Sequence, residues 1–429
     1  MNSLLKPFLI PILPLAFCAC LLELSGCSPD RAAQVPGELF NEYLAETSHP
    51  SGEEQGKSFA AVTMEDLDIS VDMASATFVS AAEGGITVHG VGAVPEQGML
   101  TIDRPGTYVL SGEMAGQLQV DTGGAGLVRI VLDNFTLSGK GETPFLAEQC
   151  GKLLLILKEG TQNNIIYAVE TAAAAEFDPA AGAAGGIAPD EPVAAVSPPG
   201  AALLVSAPLT INGSGALSIE SAGGSGLHAA ESLVVAGTSL TVTAGATALY
   251  SADGVAFLDS TVALTAGGNG LTTGADAQGG IIFSGGSCLI RAAENGLQTP
   301  RAVAMVNGRL RIDAARSGVE AGEGVLLFNS ELIASGGPVE TGAQLGQHEE
   351  LSQPALLITF EEEREAFSTV ELRSGEGVPL AVLQPSFAYR SIVVSSPALT
   401  VGQPVTIALN GAELARITME ETEQLLQLP

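Results

Sequence analysis

Five positions recur through the middle of the chain at intervals of 22, 26, 22 and 22 residues: Glu231, Asp253, Gly279, Arg301 and Glu323. If the repeats stack, Glu231 and Asp253 lie one layer apart. Two carboxylates at that separation could share a divalent cation, so both are candidate metal ligands. Arg301 and Glu323 extend the same column and, with Glu231 and Asp253, are candidate ligand-binding residues. Asn269 and Asn295 form a second aligned pair, each followed by glycine. Asn before Gly readily takes a positive-φ turn, and an aligned amide can also hydrogen-bond a polar ligand. Charged residues at the corners of a repeat also serve as a solvated surface, and both readings of these six residues stand open.

Catalytic motifs are not evident. Residues 209–334 contain five arginines and no lysine, and none of these cations sits among several acids in a recognisable motif. No Ser/His/Asp arrangement, phosphate-binding loop or dinucleotide fingerprint is found. His49, His89, His228 and His348 show no metal spacing with the cysteines. No catalytic residue is assigned, and an enzyme is the less favoured class.

The interval itself names the elements that must position these side chains. Segments beginning at Leu233, Val255, Ile281, Val303 and Val325 repeat at the same steps, the long one reflecting an insertion around residues 273–278. Each copy reads as an alternating apolar strand, a turn and a second alternating strand. The second strands align Leu240, Val262, Cys288, Leu310 and Leu332, and two residues on Val242, Leu264, Ile290, Ile312 and Ala334. A third column runs Leu227, Leu249, Leu271, Leu297 and Val319. A strand with period-two alternation has one face to bury, and a single coil has nothing to bury it against. Stacking coils at about 4.8 Å per step lines a continuous apolar interior. The chain is therefore expected to be all-β, a right-handed parallel β-helix with coils of about 22 residues and a C-terminal β cap. A leucine-rich horseshoe lacks its Leu/Asn ladder here, and a propeller needs longer four-stranded repeats.

The expected organisation follows. Residues 1–27 read as a lipoprotein signal, with an apolar stretch and then Leu24-Ser-Gly-Cys27, in which Cys27 is the lipidation site. Residues 28–60 read as a flexible tether and 61–336 as the solenoid, interrupted by an Ala/Gly/Pro-rich excursion over 168–202. Residues 101–112 read as a hairpin that begins the stack. Residues 337–429 read as ordinary strands that close the open end, finishing in a short polar tail. The expected location is extracytoplasmic and membrane-anchored, with the lipid as the sole contact with a bilayer. With 48 Asp+Glu against 17 Lys+Arg, the formal charge of −31 rules against nucleic acid as a partner. Only Cys150 and Cys288 remain beyond the leader, too few for a disulfide framework.

Several motifs in order resemble a bacterial secreted β-helical carbohydrate-binding domain family, whose polygalacturonate-binding members are similar in fold to pectate lyases. They are Ile102-Asp-Arg-Pro-Gly-Thr-Tyr-Val-Leu-Ser-Gly112, Val128-Arg-Ile-Val-Leu-Asp-Asn134, Leu157-Lys-Glu-Gly-Thr-Gln-Asn163, Leu209-Thr-Ile-Asn-Gly-Ser-Gly215 and Tyr389-Arg-Ser-Ile-Val-Val-Ser-Ser-Pro-Ala-Leu-Thr-Val-Gly402. The resemblance implies an extracellular, non-catalytic polysaccharide binder with calcium (Ca2+) at acidic coil corners, and acidic glycans as the ligands. This chain departs at the third corner, where the family's Asp is replaced by Ser225, Thr247, Asn269, Asn295 and Ser317. Each keeps an oxygen and loses the charge, which weakens calcium there. With no Trp and 5 Tyr, a flat aromatic strip for stacking sugars is not expected. A polar surface suits hydrogen bonding to sugar hydroxyls, or to an anionic sugar through a bridging cation or the arginines of 291–316. Two further readings are a structural or adhesive envelope spacer and, less favoured, a polysaccharide lyase.

Overall fold

A computed structural model describes residues 59–168, 200–337 and 353–429. The leader with Cys27, most of the tether and the bulk of the 168–202 excursion lie outside the described residues. The chain is all-β. A parallel solenoid of about eight turns of roughly 24 residues dominates, and a 3-10 turn, Met64–Leu67, precedes the first strand of the described residues.

The predicted ladders pair in register. Leu240 lies beside Val262, Val262 beside Cys288, Cys288 beside Leu310 and Leu310 beside Leu332, all in parallel strands. The third column pairs Leu227, Leu249, Leu271, Leu297 and Val319 likewise. These side chains form one continuous buried core. The second strands alternate as period two demands, with Ser239–Ala244 exposing every other residue. Cys288 is a buried free thiol whose pKa burial pushes far up, so it acts as a small hydrophobe.

The first strands depart from the expected alternation, for both of their faces are covered. All four residues of Leu233–Ala236 and of Val255–Leu258 are buried. Leu233 and Val235 point into the core. Val234 and Ala236 pack outward against Phe59, Ala60 and Val62. The last residues assigned to the tether are thus part of an N-terminal strap. Phe59 forms a parallel bridge to Gly280. A Cβ on Gly280 would meet the Ala302 carbonyl oxygen at 2.3 Å and the Phe59 ring at 3.1 Å, so glycine lets the strap approach.

Farther along the strap, Asp66 is only 2% exposed. Its carboxylate takes Lys152 Nζ at 2.7 Å, the Thr210 hydroxyl, and the backbone N–H and hydroxyl of Thr63. Asn212 Nδ2 donates to the Asp66 carbonyl oxygen at 2.9 Å, and Arg129 pairs with Asp68 at 3.1 Å. Ala76 then joins Val109, Val131 and Ile156 in a further outer cluster.

The C-terminal end is closed by strands as expected, and the N-terminal end is closed differently. Residues 101–112 do not form a hairpin, because Met99–Ile102 and Gly106–Ala115 belong to different sheets of the solenoid. Two earlier hairpins do the work: Thr77–Ala82 with Gly85–His89, and Ala93–Glu96 with Met99–Ile102. At the other end, Tyr389–Ser395 pairs antiparallel with the last second-position strand, Glu331–Gly336, and occupies its open edge. Behind it a four-stranded antiparallel sheet of Pro379–Leu383, Val370–Ser374, Pro404–Leu409 and Ala412–Thr418 encloses a separate core that includes Ile333. The polar tail is itself a strand, Glu423–Leu428, parallel to Ala355–Arg364.

Burial alone would raise the Asp66 carboxyl, but Lys152, Thr210 and Thr63 outweigh it and hold the pKa below its ordinary value. The unfolded value is about 4. Its contribution to stability is therefore fully present above that value and disappears as pH falls through the lower folded-state value. Hydrogen exchange of residues 59–78 should accelerate selectively under such acid conditions. At neutral pH, Asp66→Ala should produce the same local release and cost about 2 kcal/mol of stability in chemical denaturation.

Candidate functional site

The third strand of each coil is short, for example Leu249–Ser251, Leu271–Thr273 and Leu297–Thr299. Its first and last residues point inward, and the middle residue points out. In register these middle residues are Leu204, His228, Tyr250, Thr272, Gln298 and Glu320, one per coil. All are half-buried, and from His228 to Glu320 they form a polar ladder along one face of the solenoid.

His228 and Tyr250 stack with ring centroids 4.5 Å apart and planes 24° from parallel. Burial depresses the His228 pKa, so the imidazole is neutral at pH 7. Both rings are half-buried, and together they carry a phenol hydroxyl and imidazole nitrogens as polar groups. Thr272 Oγ1 is inaccessible and has no hydrogen-bond partner in the protein. Gln298 Nε2 donates to Glu320 Oε2 at 2.8 Å, leaving the amide carbonyl and the second carboxylate oxygen as further acceptors.

The six residues singled out from the sequence flank this ladder on its two sides. Asn269 and Asn295 lie on the entering margin and are absent from the positive-φ residues, so the turn explanation does not apply to them. Asn269 Oδ1 instead accepts from Asn295 N at 3.1 Å, and Asn295 Oδ1 accepts from Ser317 N at 3.3 Å. Their neighbours Gly270 and Gly296 are required for another reason. A Cβ there would lie 2.3 and 2.1 Å from the Cγ2 atoms of Ile290 and Ile312.

The leaving margin carries a raised lip over residues 274–280, the inserted stretch that lengthens one period. Asp253 and Arg301 brace it. Asp253 Oδ1 accepts from Gln278 N at 2.8 Å and Gly279 N at 2.7 Å. Arg301 Nε donates to the Ala277 carbonyl at 2.7 Å, while its Nη1 pairs with Glu323 Oε1 at 2.7 Å. Glu231 contributes its backbone carbonyl, accepting from Ser251 Oγ at 2.7 Å. Burial, then the charge of Glu231, pushes the nearby Cys150 thiol up to about 11.

This donor set does not suit Ca2+, which takes six to eight oxygens with several full charges. One Asp253 oxygen is committed to two backbone amides. Among the described residues no group of three or more His, Cys, Asp and Glu side chains lies together as a metal site. Charge and turn chemistry mark the corner positions in the sequence and leave the ladder residues unmarked. The available signal was the residue directly after each inward leucine, as in Leu227-His228 and Leu249-Tyr250.

The parallel register of these coils places the chain in the class of β-solenoid proteins, with a ladder of outward side chains along one elongated face. More particularly, the chain belongs to the carbohydrate-binding domain-containing protein family, whose profile matches residues 96–348, more than half of its length. No curated protein matches the chain. Among solved structures, it is similar to the polysaccharide lyase-like protein from C. thermocellum, in its gadolinium derivative. That similarity is 20% in sequence with a TM-score of 0.49, covering 58% of this chain and 96% of the other.

Asp253→Ala removes the acceptor beneath the lip. It should raise hydrogen exchange at residues 274–280 and cost about 1 kcal/mol, while Asp253→Asn, which retains an acceptor oxygen, should be milder.

Proposed function

We propose that the protein binds polysaccharide without cleaving it, laying an extended glycan along the His228–Glu320 ladder. The observation that carries this reading is the register of that ladder. It offers one polar or aromatic side chain per coil at about 4.8 Å, a step close to the length of one pyranose in an extended chain. Such a surface repeats when its ligand repeats. Family membership supports carbohydrate as the ligand class, and the phenol, imidazole, amide and carboxylate of the ladder supply both donors and acceptors for sugar hydroxyls.

The binding reading is favoured over lyase or hydrolase chemistry because the nearby acids are engaged. Glu320 accepts from Gln298, Glu323 pairs with Arg301, and Asp253 holds the lip. A neutral, hydroxyl-rich polymer suits this face best, since Glu231, Asp253, Glu320 and Glu323 outnumber Arg301 along it. On this face the acids would repel an acidic glycan unless a cation bridged them, and the donor set does not favour calcium. Residues 1–27 are proposed to direct export and lipidation at Cys27, placing the solenoid outside the cytoplasm on a lipid anchor. Labelling with a fatty-acid probe, lost in Cys27→Ser, tests that part.

A glycan array followed by pull-down, with calcium and with chelator, tests the central claim. Tyr250→Ala should weaken binding of the selected glycan about three- to tenfold, and chelation should leave it unchanged. Binding to no glycan, accompanied by self-association of the solenoid, would replace this reading with an adhesive or spacer role. Release of unsaturated uronide products from polygalacturonate would replace it with a lyase.

A further inference from the structure

The outward face of the second strands is a separate surface from the ladder. Its exposed positions run Ser239, Thr241 and Thr243, then Thr261 in the next coil, then Ser287, Leu289 and Arg291. In the following coil come Arg309 and Arg311. In register, Arg311 lies beside Leu289, and Arg291 lies two residues farther along the Leu289 strand. The C-terminal cap rises against this spot. Arg311 Nη2 donates to the Val382 carbonyl at 3.1 Å, and Leu383, Gln384 and Pro385 form the wall of a groove over Leu289, Arg291 and Arg311.

Two features make the groove unusual in a chain of formal charge −31. Among the described residues, neither Arg291 nor Arg311 forms an ion pair with a carboxylate. The groove's own acid, Asp313, lies beside Arg291 in register and accepts from Ser386 N at 2.6 Å and Ser335 Oγ at 3.2 Å, so one carboxylate offsets part of the charge of the two arginines. Arg291 and Arg311 thus both line the groove, and Leu289 beside Arg311 is 37% exposed. Rows of hydroxyls lead away from it along the solenoid.

We propose that this groove is a second glycan-binding site, selective for a sulfated polysaccharide. The arginines hold a sulfate ester, Leu289 packs on the sugar's C–H face, and the Ser and Thr rows hydrogen-bond the continuing chain. Sulfate is favoured over carboxylate by shape. A planar carboxylate matches one guanidinium fork, whereas the terminal oxygens of a sulfate ester diverge and can be reached by two guanidinium groups on different strands. Charge complementarity fits the same ligand, since this groove is a cationic island on an anionic molecule.

Dextran sulfate and unsulfated dextran share a backbone and are the probes, with polygalacturonate as the carboxylate comparison and the full chain titrated by calorimetry. Dextran sulfate should bind, and dextran and polygalacturonate should bind far more weakly. Arg291→Gln/Arg311→Gln should lose about tenfold or more in affinity, while the charge-matched Arg104→Gln/Arg416→Gln should not. Tyr250→Ala should leave this binding intact, which separates the groove from the ladder. Among the described residues the Arg291 side chain makes no hydrogen bond or ion pair, so Arg291→Gln alone should weaken binding while the unfolding midpoint stays at the parent value. Absence of dextran sulfate binding, equal loss in the charge-matched control, or equal binding of polygalacturonate would each overturn the proposal.

Discussion

Every layer of this protein depends on keeping its apolar columns in register. A single coil buries almost nothing; its inward residues leave water only when the same positions of the coils above and below do so as well. Because the side-chain period is two, a slip of one residue would turn Leu240, Val262, Leu310 and their successors to solvent at once. The requirement explains why length changes are confined to corners. The extra residues between Thr273 and Ile281 leave the flanking strands paired with their neighbours, and the displaced backbone becomes a lip beside the ladder.

The same constraint leaves edges and faces that must be closed. The hairpins at the start and Tyr389–Ser395 at the end occupy backbone groups that would otherwise template further strands. The strap does for one lateral face what the caps do for the ends. It permits first strands that are apolar on both sides, which would be an aggregation hazard in water. It is anchored by a short polar network around Asp66, where carboxylate, ammonium, hydroxyl and amide satisfy each other in a nearly dry setting.

Sequence reasoning recovered the solenoid because repetition multiplies a weak signal: Leu227 says little, but five residues at the same offset describe a wall. It failed where the structure is not repetitive. The strap is a single segment whose partners are distant in the chain, Arg129 lying 61 residues from Asp68 and Gly280 221 from Phe59, and Phe59 carries no local mark of its bridge to Gly280. The hairpin expected at 101–112 was misplaced because Tyr108 and Leu110 alternate as any strand does, and alternation does not reveal which sheet a strand joins. For the site, the margins were legible and the centre was not. Asp253 and Arg301 stood out by charge, yet they brace backbone, whereas His228 and Tyr250 stood between buried residues and gained meaning only when parallel register placed one ring on the other.

The strap also has a consequence for the order of events during biosynthesis. Phe59 leaves the ribosome long before Gly280, the residue it bridges, so the chain's first described segment cannot dock until most of the solenoid exists. Assembly can proceed coil upon coil from the amino-terminal hairpins, but that lateral face stays open until the later coils arrive. If the chain crosses a membrane as an extended thread, this delay is useful: the clasp that locks the fold cannot fasten before its distant half has come through.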